Sequence, residues 1–276
     1  MTAPAAGAGT TGYTSPLPAT RPTLGHALAS EWTKMTSLRS TLWTLGSMAG
    51  LVIGVGLIAL LQTSDRDFAE VPFITPALFG LFVGQISVMV LGVLTISSEY
   101  GTGLVRTTFT AAPERHRVLT AKFLVFGMLA FATVAGSVFL VGLGGVLLHG
   151  GPNSGAHGPG EWFGALAGSM YVTLLGVLGL AVGAILRHSA GAIAVMLGVV
   201  TLPPVMAGFL SVWESTQGLS RLMAQYNAPV ALAELFGLPI DGEGFPTQPV
   251  RQFLLLLVVV ALAVTAAYAE TRRRDV

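Results

Sequence analysis

The chain has 276 residues, of which 53% are hydrophobic. Only 10% are charged, against about a quarter in a soluble domain, and so little charge cannot cover a water-soluble globule of this size. A bilayer core needs roughly 20 apolar residues per helix, so the composition predicts an all-α, polytopic membrane protein with room for six spans and no separate soluble domain. A net charge of +1 without a basic stripe gives no footing for a nucleic-acid partner. The absence of cysteine removes disulfides, thiolate catalysis and cysteine-held zinc together. Lysine occurs only at Lys34 and Lys122; every other basic side chain is arginine or histidine.

Residues 1–20 are rich in Ala, Gly, Thr and Pro and carry no charge. They lack the basic start and apolar core of a secretory signal and read as a disordered cytoplasmic tail. Residues 21–40 read as an amphipathic helix lying along the inner membrane surface, with Pro22 in its first turn. Leu24, Leu28, Trp32, Met35 and Leu42 recur at helical spacing, with Glu31, Thr33, Lys34 and Ser37 on other faces.

From residue 41 to 276 the chain reads as a six-helix transmembrane domain. Charge-free stretches place spans near 41–62, 74–97, 120–148, 163–187, 190–212 and 252–270, with Lys122, Arg187 and Glu270 at the ends of three of them and no charged side chain along the middle of any. With both termini inside, eleven basic residues (Arg21, Lys34, Arg39, Arg106, Arg115, Arg117, Lys122, Arg187, Arg272, Arg273, Arg274) are cytoplasmic, against Arg66, Arg221 and Arg251 outside. The positive-inside rule selects this orientation, and Trp43, Trp162 and Trp213 fall at span ends as an interfacial belt requires. The expected location is the cell membrane, with both termini cytoplasmic. Glycines four apart recur at Gly46/Gly50/Gly54, Gly80/Gly84, Gly164/Gly168 and Gly179/Gly183. Such ridges suit close helix packing within one subunit or a seam between two, and the sequence favours the first.

The inner loop at 98–121 has a first half able to form a short helix with Tyr100, Leu104 and Thr108 along one side, broken after Ala111, Ala112 and Pro113. An apolar-tipped helix flanked by charge suits docking to a cytoplasmic partner, whereas a plain topology-fixing loop needs only the charge. The order Glu99, Gly101-Thr102, a hydroxyl-rich stretch, Pro113, Arg115 and Lys122 resembles the loop between spans two and three of type-2 ABC transporter permeases. SEWTKMTSLRSTLW before the first span, LRHSAGAIAV at 186–195 and the ending RRRDV are similar to actinobacterial members. The likeness runs over the chain beyond residue 20 and rests on the joint order of these segments. It implies the membrane-spanning subunit of an ABC exporter, working as a dimer with a second copy or a paralogue. It also implies coupling to a separate ATPase subunit through Glu99, Tyr100, Gly101, Thr102, Leu104, Arg106 and Phe109.

The outer loop at 213–250 mixes apolar runs with Glu234, Asp241 and Glu243; too interrupted to span, it suits a re-entrant or interfacial hairpin. Pro203-Pro204 is expected to kink the fifth span. No glycine-rich loop precedes either lysine in the phosphate-binding GxxxxGK[ST] pattern, so ATP is expected on the partner, and no cofactor on this chain. His149 and His157, without nearby carboxylates, read as spacer residues rather than metal ligands. No HExxH, GxSxG or buried carboxylate pair marks catalytic residues, so the chain is not expected to be an enzyme. Against the permease reading stand an ion-coupled carrier, which commonly keeps ionisable groups inside the membrane, and a non-transport scaffold or sensor.

Overall fold

The computed structural model describes residues 23–63, 71–104, 115–150, 158–238 and 249–273, without the side chains of Arg272 and Arg273. The tail at 1–20, Pro22, Arg66, Arg106, Phe109, His157, Asp241, Glu243 and Arg274 lie outside these residues. Where the chain is described, its regular structure is entirely helical: α1 (Leu24–Ser37), α2 (Arg39–Gln62), α3 (Thr75–Thr102), α4 (Arg115–His149), α5 (Pro159–Leu186) and α6 (Ser189–Leu210). A single 3-10 turn, Glu214–Thr216, then leads into α7 (Gln217–Gln225), α8 (Ala228–Leu235) and α9 (Pro249–Arg273). Among the described residues six helices, α2 to α6 and α9, are long and apolar enough to cross a bilayer. The protein is an all-α polytopic membrane protein.

The spans fall close to the charge-free stretches, with one informative difference. α3 continues to Thr102 and α4 begins at Arg115, so Glu99 lies inside a helix rather than beyond its end, and Lys122, expected at the start of the third span, lies two turns inside α4. Charge ends a hydropathy run but not a helix; α3 stops instead at Gly103, whose φ of 74° puts it in the left-handed region where glycine is unstrained. α1 starts with Thr23 as its cap, the Oγ1 accepting from the His26 N–H while His26 Nδ1 accepts from the Thr23 N–H. Extended backbone at Leu38 separates α1 from α2. α6 remains helical through Pro203 and Pro204.

α3 and α5 form the centre of the bundle, 61% and 67% buried over their most apolar stretches, against 17–39% for the other spans. Glycine allows their approach. A methyl at Gly92 would overlap the carbonyl oxygen of Gly176. One at Gly179 would lie 2.7 Å from the Met89 oxygen, and one at Gly183 2.9 Å from that of Val93. Gly80 and Gly84 face Val52 and Met48 of α2, and Gly164 and Gly168 face Leu235 and Phe236 at the end of α8. These three ridges pack within the subunit as the sequence suggests. The Gly46/Gly50/Gly54 ridge does not: among the described residues, nothing beyond the adjoining turns of α2 itself lies within 4 Å of a methyl placed at any of the three.

Polar contacts tie the two ends of the bundle. At one end the Phe73 N–H donates to Glu161 Oε2 at 3.0 Å, and the ring of His149 donates to the Leu60 carbonyl at 3.2 Å. α7 and α8 form a hairpin tucked against this half, with Ser220 Oγ donating to the Ala207 carbonyl at 2.7 Å. Asn227 caps α8 through the Val230 N–H at 3.0 Å. Ala228, Ala231, Leu232 and Phe236 are buried, so the interrupted apolar run at 214–238 is used as an inward-packed hairpin. The opposite end carries α1.

The glycine crossing gives a direct test. Gly92→Ala should lower stability by about 1–3 kcal/mol through overpacking against backbone that cannot yield. Gly50→Ala should leave stability unchanged. Heating detergent-solubilised variants and reading the monodisperse fraction by size-exclusion chromatography checks both; equal loss would contradict the crossing.

Candidate functional site

Helical spacing decides which face of α1 meets the bundle. Leu28, Glu31 and Met35 share one side; Glu31 and Met35 are buried, while Leu24 and Trp32 remain exposed. The protein-facing side of α1 thus carries a carboxylate, whereas the sequence pattern assigns Glu31 to a solvated face. α1 lies mainly along α4, and there Glu31 meets Lys122, two turns into α4.

Lys122 is the hub. Its Nζ donates to Glu31 Oε2 at 2.9 Å and to Glu99 Oε1 at 2.7 Å, and all three side chains are at most 6% exposed. Lys34 closes the group, reaching Glu31 Oε1 at 3.5 Å and contacting Glu99 Oε1. Two ammonium groups and two carboxylates from α1, α3 and α4 therefore form one neutral cluster. Inside low-dielectric surroundings a charge is tolerable only when paired, and deleting one member of a buried pair typically costs about 3–5 kcal/mol. Lysine suits the hub, since a compact ammonium with three donors can bridge carboxylates arriving from different directions.

Further contacts fasten the same end. The guanidinium of Arg187 lies 4.9 Å over the Tyr100 ring, a cation–π contact between the ends of α5 and α3. Arg187 has φ 55° as the cap residue of α5, the one non-glycine residue with positive φ among those described. On α4 the Thr120 and Tyr268 hydroxyls are 2.7 Å apart, joining α9. The end of α3 and the start of α4 are therefore gripped by α1, α5 and α9.

Of the residues expected at a partner contact, Glu99 faces inward into the cluster and Tyr100 is half-buried beneath Arg187. Gly101, Thr102 and Leu104 are exposed at the tip of α3. Arg106 and Phe109 lie outside the described residues. Glu31, Lys34 and Arg187, outside the loop pattern, and Lys122, part of that pattern but not expected at a partner contact, complete the site. One sequence signal marks the two lysines: in a chain that otherwise uses arginine, both are cluster members. Among the described residues no group of three His, Cys, Asp or Glu side chains could hold a metal ion.

The two lysines differ in ways chemistry can read. Burial and the neighbouring Lys122 ammonium push the Lys34 pKa down from 10.5 to about 8, against the opposing pull of Glu31. Lys34 keeps 30% of its side chain exposed, whereas Lys122 keeps 3%. Because the folded pKa lies below the unfolded one, charging Lys34 disfavours the folded state at neutral pH. That penalty is relieved as pH rises from about 8 toward 10.5. Brief acylation of the folded protein should modify Lys34 with a rate rising through pH 8 and leave Lys122 untouched until unfolding. Peptide mass spectrometry checks this, and comparable labelling of Lys122 would contradict its burial.

In comparisons with known proteins, no protein-family model matches the chain, and no curated protein matches it.

Proposed function

We propose that the chain is the membrane-spanning permease subunit of an ATP-driven export system, coupled to a separate ATPase subunit. The observation that supports it most is the anchoring of the end of α3 and the start of α4 to each other and to α1 by Glu31, Lys34, Glu99 and Lys122. A push on the exposed Gly101, Thr102 and Leu104 tip would travel into α3 and α4 together, and into α1, because the charged cluster resists separating them. In this reading Glu99 transmits movement rather than touching the ATPase; Thr102, Leu104, Arg106 and Phe109 form the contact. The basic residues Lys34, Arg39, Arg115, Arg117, Lys122 and Arg187 gather at the α1 end, which supports a cytoplasmic α1 face in the cell membrane. The open Gly46/Gly50/Gly54 ridge supports a second permease copy or paralogue against α2.

The same cluster favours a second reading. Buried Lys122 and Glu99 within spanning helices are a feature of ion-coupled carriers. Their position argues for the first reading: Glu99 is in the last turn of α3, at an end of the bundle rather than along its middle.

Purification of the tagged chain in mild detergent separates the two. An ATP-hydrolysing partner should co-purify, and a cysteine at Thr102 should crosslink to it in a nucleotide-dependent manner. A chain that purifies without any ATPase and by itself moves protons into proteoliposomes would establish the carrier instead.

A further inference from the structure

Away from the cluster, a cavity of about 120 Å³ lies between α5, α6, the α7–α8 hairpin and the first three turns of α9. Its walls are mostly aliphatic, including Leu175, Leu178, Leu255 and Leu256. Two polar side chains break that lining. Tyr171 is 5% exposed and its hydroxyl has no hydrogen-bond partner among the described residues. Gln252, also 5% exposed, donates from Nε2 to Glu234 Oε2 at 3.0 Å, which fixes the amide and leaves Oε1 without a partner. Asn227 on the same wall is already committed, through the Val230 N–H and the Met223 and Ala224 carbonyls.

The buried amide oxygen of Gln252, left unpaired, forgoes about 1–3 kcal/mol that a partner would restore, and the Tyr171 hydroxyl has a proton to donate. They are complementary to one kind of group: a hydroxyl, which can accept from Tyr171 while donating to Gln252. The rest of the wall asks for hydrocarbon. The volume is a little below the ~150 Å³ of a dry apolar cavity that accepts benzene, so it admits the end of a slim chain rather than a whole bulky molecule. Val199 of α6 and Leu255 and Val259 of α9 line it while remaining 40–50% exposed on the apolar outside of the bundle. The mouth therefore opens sideways, toward lipid.

We propose that this cavity is a binding site for the hydroxyl-bearing end of a long-chain alcohol or similarly hydroxylated lipid, entering laterally from the bilayer between α6 and α9. Tyr171 and Gln252 hold the hydroxyl, and the leucines hold the first carbons of the chain. Taken as cargo, such a ligand names the substrate class of the export reading and rests on it; binding itself does not.

The test uses the purified protein in nanodiscs without nucleotide, so loss of the ATPase partnership cannot affect it. The probe is hexadecanol carrying a photoreactive diazirine near its hydroxyl end, compared with the matching diazirine alkane. The alcohol should label peptides of α5 and α9 around Leu175 and Leu256, saturably, with competition by plain hexadecanol. Tyr171→Phe should reduce saturable labelling by the alcohol about 5-fold, toward the alkane level, with an unchanged unfolding temperature because the hydroxyl bonds nothing in the fold. Leu175→Trp, which fills the cavity, should abolish labelling. Equal labelling by alcohol and alkane, labelling spread evenly over lipid-facing helices, or indifference to Tyr171→Phe would each overturn the proposal.

Discussion

An ammonium group removed from water must find carboxylates, and Lys122 finds two, Glu31 on α1 and Glu99 on α3. α1 is too short and too polar to be held to the bundle by burial alone; Glu31 and Met35 are its buried residues. Its place therefore depends on charge pairing that is strong because it is dehydrated. Severing any one pair would strand a charge in an apolar setting, so α1, the end of α3 and the start of α4 behave as one piece. Lys34, at the cluster's water-facing side, balances the second carboxylate and is the member most accessible to solvent.

Glycine supplies the complementary rigidity. The α3–α5 crossing brings backbone against backbone at Gly92, Gly176, Gly179 and Gly183, where contact area rather than hydrophobic expulsion holds helices together in lipid. The two devices act at different heights: close packing sets the middle of the bundle, and the charge cluster sets one end. Between α5 and α9, where neither device operates, the hairpin completes the wall and the lateral cavity remains.

Much of the fold was legible in the sequence because a bilayer forbids charge within an exposed helix: the stretches bounded by Arg39, Asp65, Glu70, Glu99, Lys122 and Arg187 mark the spans almost to their ends. The outer segment was legible only as too interrupted to span; that α7 and α8 pack inward depends on tertiary contacts. The site was legible only in part. Glu99 stood out by its place before Gly101-Thr102, but its direction depends on how α3 is rotated against α4, which no local pattern encodes. Glu31 is 91 residues from Lys122, and on α1 alone it looks like a solvated side chain. The outward Gly46/Gly50/Gly54 ridge has the same spacing as the inward ridges, and only packing tells them apart.

The central claim is that Lys122 fastens α1 to α3 and α4, and hydrogen–deuterium exchange measures it most directly. In the wild-type protein the amides of residues 28–37 should exchange slowly, in step with the ends of α3 and α4. In Lys122→Met they should exchange faster by about two orders of magnitude, as loss of about 3–5 kcal/mol at one contact allows when part of it falls on local opening. The central α3–α5 crossing should stay protected in both. Unchanged exchange in α1, or equal loss of protection throughout the bundle, would show that something other than this ion cluster holds the helix in place.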